Sequence, residues 1–169
     1  MPYVGTATPH SAPMPDDPAI PMADVEVTGR SPDPVYAIAY LSRPSWRVTD
    51  HELAMLLLGA RRFNDANAIT GRLVVLEEGG EVRRFLQWFE GPAEPVVRCL
   101  ERIVADDMHR DIRIMRQGRV DRRRYGRWDM AYEAVGPGRF ADTYAVESKA
   151  EVHLEVGVVS RAVQTIVAV

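Results

Sequence analysis

Three side chains in this sequence could share protons with a small polar guest: Tyr40, Asn64 and Gln87. Each is a hydrogen-bonding group set in an apolar stretch. Gln87 lies in Phe85-Leu86-Gln87-Trp88-Phe89-Glu90-Gly91, where strand alternation puts Phe85, Gln87 and Phe89 on one face and Leu86 and Trp88 on the other. Both faces are apolar, which predicts a central strand covered on both sides. A buried carboxamide without partners costs about 1–3 kcal/mol. Both ends of Gln87 therefore need partners: a backbone carbonyl or a water on one reading, a phenol and a polar ligand on the other. Tyr40 belongs to an apolar run, and its hydroxyl must find a partner or reach water at the strand end. Asn64 continues the helical stripe of Leu53, Leu56, Leu57 and Ala60, so it points at the core, or else it caps the helix C-terminus.

The elements that must position these groups follow from pattern. Residues 35–41 form an apolar run between Pro34 and Pro44, a buried strand with Tyr36, Ile38 and Tyr40 on one face. Thr49-Asp50-His51-Glu52 is a capping box that opens the helix carrying Asn64. A turn at 66–71 leads to a second strand over 72–77, and Glu78-Gly79-Gly80-Glu81 is a hairpin loop before the strand at 82–90. Gly91-Pro92 opens a second helix with the stripe Val96, Val97, Leu100, Ile103 and Val104; Arg102 and Asp106, four apart, can pair on its edge or form a solvated surface bridge. Strands are expected at 111–120 and 125–135, the latter with Trp128, Met130 and Tyr132 on one face. Between them Asp121-Arg122-Arg123-Arg124 reads as a solvated charged turn. The order strand, helix, strand, strand, helix, strand, strand gives an α+β, ferredoxin-like βαββαββ mixed sheet with two helices on one face.

Residues 1–33, rich in Pro, Ala, Asp and Thr, read as a disordered tail. Residues 34–136 form the domain, and 137–169 an extension beyond Gly136-Pro137-Gly138 in which strand and helix patterns are both present. The chain has 169 residues, with Lys+Arg 21 against Asp+Glu 24 and a net charge of −3. That balance gives no basic footprint for nucleic acid. The single cysteine, Cys99, excludes an internal disulfide framework. No apolar run reaches the roughly 18 residues of a membrane helix, and the N-terminus lacks a signal pattern, so a soluble cytoplasmic protein is expected.

Six pieces carry a resemblance: Ala39-Tyr40-Leu41-Ser42, Ala60-Arg61-Arg62-Phe63-Asn64, Ile69-Thr70-Gly71, the Gln87 strand, Ile103-Val104-Ala105-Asp106 with His109, and Arg124-Tyr125-Gly126-Arg127-Trp128-Asp129-Met130. In this order and spacing, over roughly residues 35–135, the chain resembles the BLUF domain family, blue-light sensors that use FAD. The resemblance implies non-covalent FAD between the two helices above the sheet. Tyr40 would be the light-driven electron and proton donor, with Gln87 between its phenol and the flavin. Asn64, Arg102, Asp106 and His109 would hold the flavin's polar edge, and Ile103 would pack on the ring. Trp128 and Met130 would compete for the place beside Gln87. The implied signal is a rearrangement of Tyr–Gln–flavin hydrogen bonds, with no enzymatic step, no metal and no role for Cys99 beyond packing.

The chain departs from the family pattern at Phe63, where a polar residue is usual, at Ala68 for Gly, at Met108 for Arg, and in a longer hairpin. The departures at Phe63 and Met108 remove polar groups and put FAD over FMN, and affinity, at issue more than photochemistry. Two other readings follow from the residues: a flavin-binding module without photoactivity, and a small ferredoxin-like RNA-binding domain with Phe85 and Trp88 as stacking aromatics. The extension suggests no output enzyme. An unidentified downstream signalling protein is the expected partner, with a homodimer through the sheet face or the extension as a further expectation.

Overall fold

A computed structural model describes residues 34–126 and 130–153. The expected tail at 1–33, Trp128, and the undecided segment from 154 onward lie outside the described residues. Five strands form one mixed sheet in the order β4-β1-β3-β2-β5. In chain order the elements are β1 (Val35–Pro44), α1 (Asp50–Ala66), β2 (Thr70–Glu78), β3 (Glu81–Gly91), α2 (Ala93–Val104), β4 (His109–Val120), β5 (Ala131–Val135) and α3 (Pro137–Ser148). Only the β2–β5 pair is parallel.

The local chemistry explains these elements. The capping box forms: Thr49 Oγ1 accepts from the Glu52 backbone N–H at 3.2 Å, and Glu52 Oε2 accepts from the Thr49 backbone N–H at 2.8 Å. Asn67, not Asn64, is the C-cap of α1. Gly71 is required by the tight β2–β3 pair, since a Cβ there would lie 2.2 Å from the Trp88 carbonyl oxygen. Ala68 adopts φ 54°, a left-handed conformation that favours glycine and makes Ala68 the strained choice at this turn.

The sheet is covered on both sides. On one side Tyr36, Ile38, Tyr40 and Phe89 pack against Val96, Cys99 and Leu100 of α2. On the other, α3 lays Phe140 against Val74, Leu76 and Leu86. Beside it Trp88, fully buried, fits over Ala37 and Ala39. Small residues on β1 leave the indole its space.

Two expectations for the β4–β5 connection are corrected. β5 starts at Ala131 rather than 125. Tyr125 belongs instead to a turn, where its backbone N–H donates to Glu90 Oε1 at 2.8 Å and its hydroxyl to Glu147 Oε1 at 2.7 Å. The arginine run is not simply solvated either. Arg123 donates to Thr70 Oγ1 at 2.9 Å, to the Glu90 carbonyl at 3.1 Å and to the Ala68 carbonyl at 2.6 Å. Arg124 donates to Glu147 Oε2 at 2.6 Å and stacks 4.5 Å above the Trp88 ring. The buried Glu147 carboxylate draws Arg124 inward, while Arg123 is held by neutral oxygens.

Candidate functional site

β1 and β3 are neighbours, and their register sets Tyr40 directly opposite Gln87. Cross-strand partners point to the same side of the sheet, so phenol and carboxamide meet. The Tyr40 hydroxyl donates to Gln87 Oε1 at 2.6 Å, with both residues buried. Gln87 Nε2 in turn donates to the Met130 sulfur at 3.6 Å, a weak acceptor. The Tyr40 ring is set edge-on to Phe89 and to His109, at 6.2 and 6.0 Å between centroids.

Above Gln87, between α1 and α2, is a cavity of about 290 Å³. Its floor is Leu73, Gln87, His109 and Met130; α1 supplies Leu56, Ala60, Phe63 and Asn64, and α2 with its following turn supplies Cys99, Arg102, Ile103 and Asp106. Of the 17 residues of α1, only Leu53 and Asn64 are buried. The apolar stripe of this helix faces the cavity more than it faces a packed core. Met55, more than half exposed, and Gly59 stand at the mouth.

Of the residues singled out in the sequence, Asn64, Gln87, Arg102, Ile103, Asp106, His109 and Met130 all line this one cavity. Tyr40 does not; it stands behind Gln87 and reaches the cavity only through it. Asn64, 1% exposed, has its Oδ1 4.0 Å from the Cys99 sulfur. His109 Nδ1 lies 2.9 Å from Ser42 Oγ, and its ring tilts against Phe85. Arg102 does not pair with Asp106. Its guanidinium lies 4.2 Å over the Phe63 ring, while Asp106 Oδ1 accepts from the Met108 backbone N–H at 2.9 Å. The helix ends at Val104, so the four-residue spacing no longer keeps the two on one face.

Burial sets the protonation of the site. It pushes the Tyr40 phenol well above its usual range, with smaller contributions from Cys99 and Asp106. It pushes the Cys99 thiol up to about 12, against a smaller opposing effect of Arg102. It lowers His109, with Asp106 opposing. The cavity thus presents a thiol and a neutral imidazole at neutral pH, with a protonated phenol behind Gln87. On the far side of the sheet, burial and the bond to Glu147 raise Tyr125 to about 12. Phenols whose folded pKa is raised stabilise the fold fully below pH 10 and lose that contribution as pH climbs through the folded values. Tyrosinate absorption followed together with circular dichroism is expected to show Tyr40 and Tyr125 ionising only as the fold melts. Complete tyrosine titration near pH 10 with the fold intact would contradict these burials.

Sequence reasoning missed Arg61, Leu73 and Cys99. Cys99 was placed as a packing residue, which it is, but it also forms cavity wall. Arg61 carried no signal, because its partner is the Met130 backbone carbonyl. Among the described residues, no group of three or more His, Cys, Asp or Glu side chains could hold a metal, and no helix is long and apolar enough to cross a membrane.

The donor set fits a planar heteroaromatic guest with a carbonyl edge. Apolar walls from Leu56, Phe63, Leu73 and Ile103 match ring faces, and the carboxamides of Asn64 and Gln87 offer both donors and acceptors. A flavin ring is such a guest.

Comparison with known proteins agrees. The family model BLUF, sensors of blue-light using FAD, matches residues 35–131. No curated protein sequence matches. Among solved structures, BlrB, a BLUF protein in its dark state, is 26% identical with a TM-score of 0.54, covering 60% of this chain and 74% of its own. The photo-activated state of BlsA is 26% identical with a TM-score of 0.53, covering 68% and 79%. A bacterial light-regulated adenylyl cyclase shares the fold at 20% identity and a TM-score of 0.56 over 67% of this chain; the match spans only 33% of the cyclase.

Proposed function

Since the chain belongs to the BLUF family, sensors of blue-light using FAD, we propose that it holds FAD in the α1–α2 cavity and reports blue light through the hydrogen bonds of Tyr40 and Gln87. The observation that carries this reading is the Tyr40–Gln87–cavity series, a phenol donating at 2.6 Å to a carboxamide that forms the cavity floor. When bound, the flavin supplies light absorption and an acceptor for an electron and a proton. The chain supplies everything else. Tyr40 is the buried reductant, kept protonated. Gln87, held between a strong donor at Oε1 and a weak sulfur acceptor at Nε2, can exchange the two ends of its amide at small cost. Asn64 fixes the guest's carbonyl edge, and Ile103 and Phe63 cover its faces. Arg102, Asp106 and His109 complete the polar rim, and α1 and α2 exclude water, which strengthens each bond inside.

The family description supports FAD; the cavity itself would take the ring common to FAD and FMN. The domain is a sensor rather than a catalyst, and we assign its output to a separate signalling protein in the cytoplasm. Trp128, outside the described residues, is kept as the competitor of Met130 for Gln87. A second reading rests on the Arg102–Phe63 stack, which engages a cation expected at the guest's polar edge: a flavin-binding module without a photocycle. An absorption spectrum of the FAD-loaded chain before and after blue light decides between them. The photoreceptor reading expects a red shift that reverses in the dark. Bound flavin with an unchanging spectrum refutes it and leaves the second reading.

A further inference from the structure

β5 is the least anchored strand of the sheet. It has five residues, lies at the edge and pairs with β2 alone, beginning at Arg72↔Ala131. Short edge elements open at low free energy. Yet Met130, the residue before its first pair, must be placed accurately, because its sulfur is the acceptor for Gln87 Nε2. The structure shows what ties it down from outside the sheet. Arg61, in the third turn of α1, turns its guanidinium across to β5 and donates from both Nε and Nη2 to the Met130 carbonyl, each at 3.3 Å. A continuous series of contacts results: α1, Arg61, the Met130 backbone, the Met130 sulfur, Gln87, Tyr40.

We propose that Arg61 is a positioning residue that holds Met130 inward, and so sets how fast the switched form of Gln87 returns to its resting arrangement. The inference rests on the light-sensing reading given above for its kinetic part; its structural part does not. Arg61 neither touches Gln87 nor lines the cavity itself. Its action passes through the Met130 backbone. Gln87 recovers its resting bonds only in molecules where the sulfur is in place, so the return rate follows the fraction of molecules with Met130 inward. A forked, charged donor on one carbonyl holds better than a single neutral contact, moderated here because Arg61 is exposed and both contacts are 3.3 Å long. Losing it should lower the inward-to-outward ratio of Met130 about three- to tenfold, the range such a hydrogen bond spans, and slow the return as far as the inward fraction falls. Lysine, with one compact ammonium in place of the fork, should fall between.

The test uses the full chain labelled with [methyl-¹³C]methionine, with the Met130 signal assigned through Met130→Leu. Methyl spectra are recorded with and without FAD, and dark recovery is timed after blue light. Arg61→Gln is expected to shift or split the Met130 methyl signal in both states and to slow recovery in step with the inward population lost, by at most about tenfold. Arg61→Lys should give a smaller change of the same kind. Arg62→Gln, an exposed neighbour on the same helix, should change neither. A Met130 signal unmoved in Arg61→Gln overturns the proposal, as does a moved signal with unchanged recovery. Should the parent chain show no red shift at all, the light-sensing reading fails, and the methyl spectra without FAD still decide whether Arg61 places Met130.

Discussion

Gln87→Leu is expected to bind flavin as the parent chain does and to lose the light-induced red shift completely. Leucine nearly matches the volume of glutamine, so the cavity floor keeps its shape. What disappears is the side chain that touches both the Tyr40 hydroxyl and the Met130 sulfur. Tyr40 does not line the cavity, so among the described residues the phenol loses its hydrogen-bonded link to it. The variant also leaves a buried phenol without its acceptor, which costs about 1–3 kcal/mol. Denaturant unfolding should register that loss, while flavin absorbance at stoichiometric loading shows that the site persists. A normal photocycle in Gln87→Leu would remove the carboxamide from the mechanism.

The largest effect on stability is expected on the opposite face. Trp88 is 1% exposed, fills the space over Ala37 and Ala39, donates from Nε1 to Glu90 Oε2 at 2.9 Å, and lies under the Arg124 guanidinium. Trp88→Ala combines a large cavity with a buried carboxylate that loses a donor, and should destabilise by about 3–5 kcal/mol. That is a large share of the 5–15 kcal/mol typical of a folded domain. Trp88→Phe keeps most of the ring and removes only the N–H, so it should cost about 1–3 kcal/mol. Urea midpoints at constant m-value would measure both. Equal losses in the two variants would show that the Glu90 bond, removed in both, carries the effect and that ring volume adds little. A loss under 1 kcal/mol in Trp88→Ala would contradict the packing described here.

The site was legible wherever a polar residue broke an apolar period. Gln87 and Asn64 interrupt stripes and Tyr40 sits on the apolar face of a strand, but pattern alone left a water-facing hydroxyl open for Tyr40 and a helix cap for Asn64; the family resemblance turned both inward. That Tyr40 faces Gln87 across neighbouring strands depends on sheet order, which no local pattern encodes; the family resemblance supplied it. The Arg102–Asp106 spacing misled because α2 ends between them. α3 was missed because its inward face has only Phe140 and Tyr144 as large apolar contacts and is completed by Glu147, buried against Arg124 and Tyr125. A pattern count scores that carboxylate as solvent-facing. The arginine run looked solvated because its partners, the Thr70 hydroxyl, the Ala68 and Glu90 carbonyls and the Glu147 carboxylate, lie far away in sequence.

The most direct measurement is the light-minus-dark infrared difference spectrum of the FAD-loaded chain, taken with and without isotopic labelling of glutamine. A side-chain carboxamide band that moves with the label, appears together with a downshifted flavin carbonyl, and vanishes in Gln87→Leu is the predicted result. A flavin band that shifts with no label-sensitive carboxamide change would contradict the account, since the Tyr40–Gln87 bond would then be a bystander to the light response.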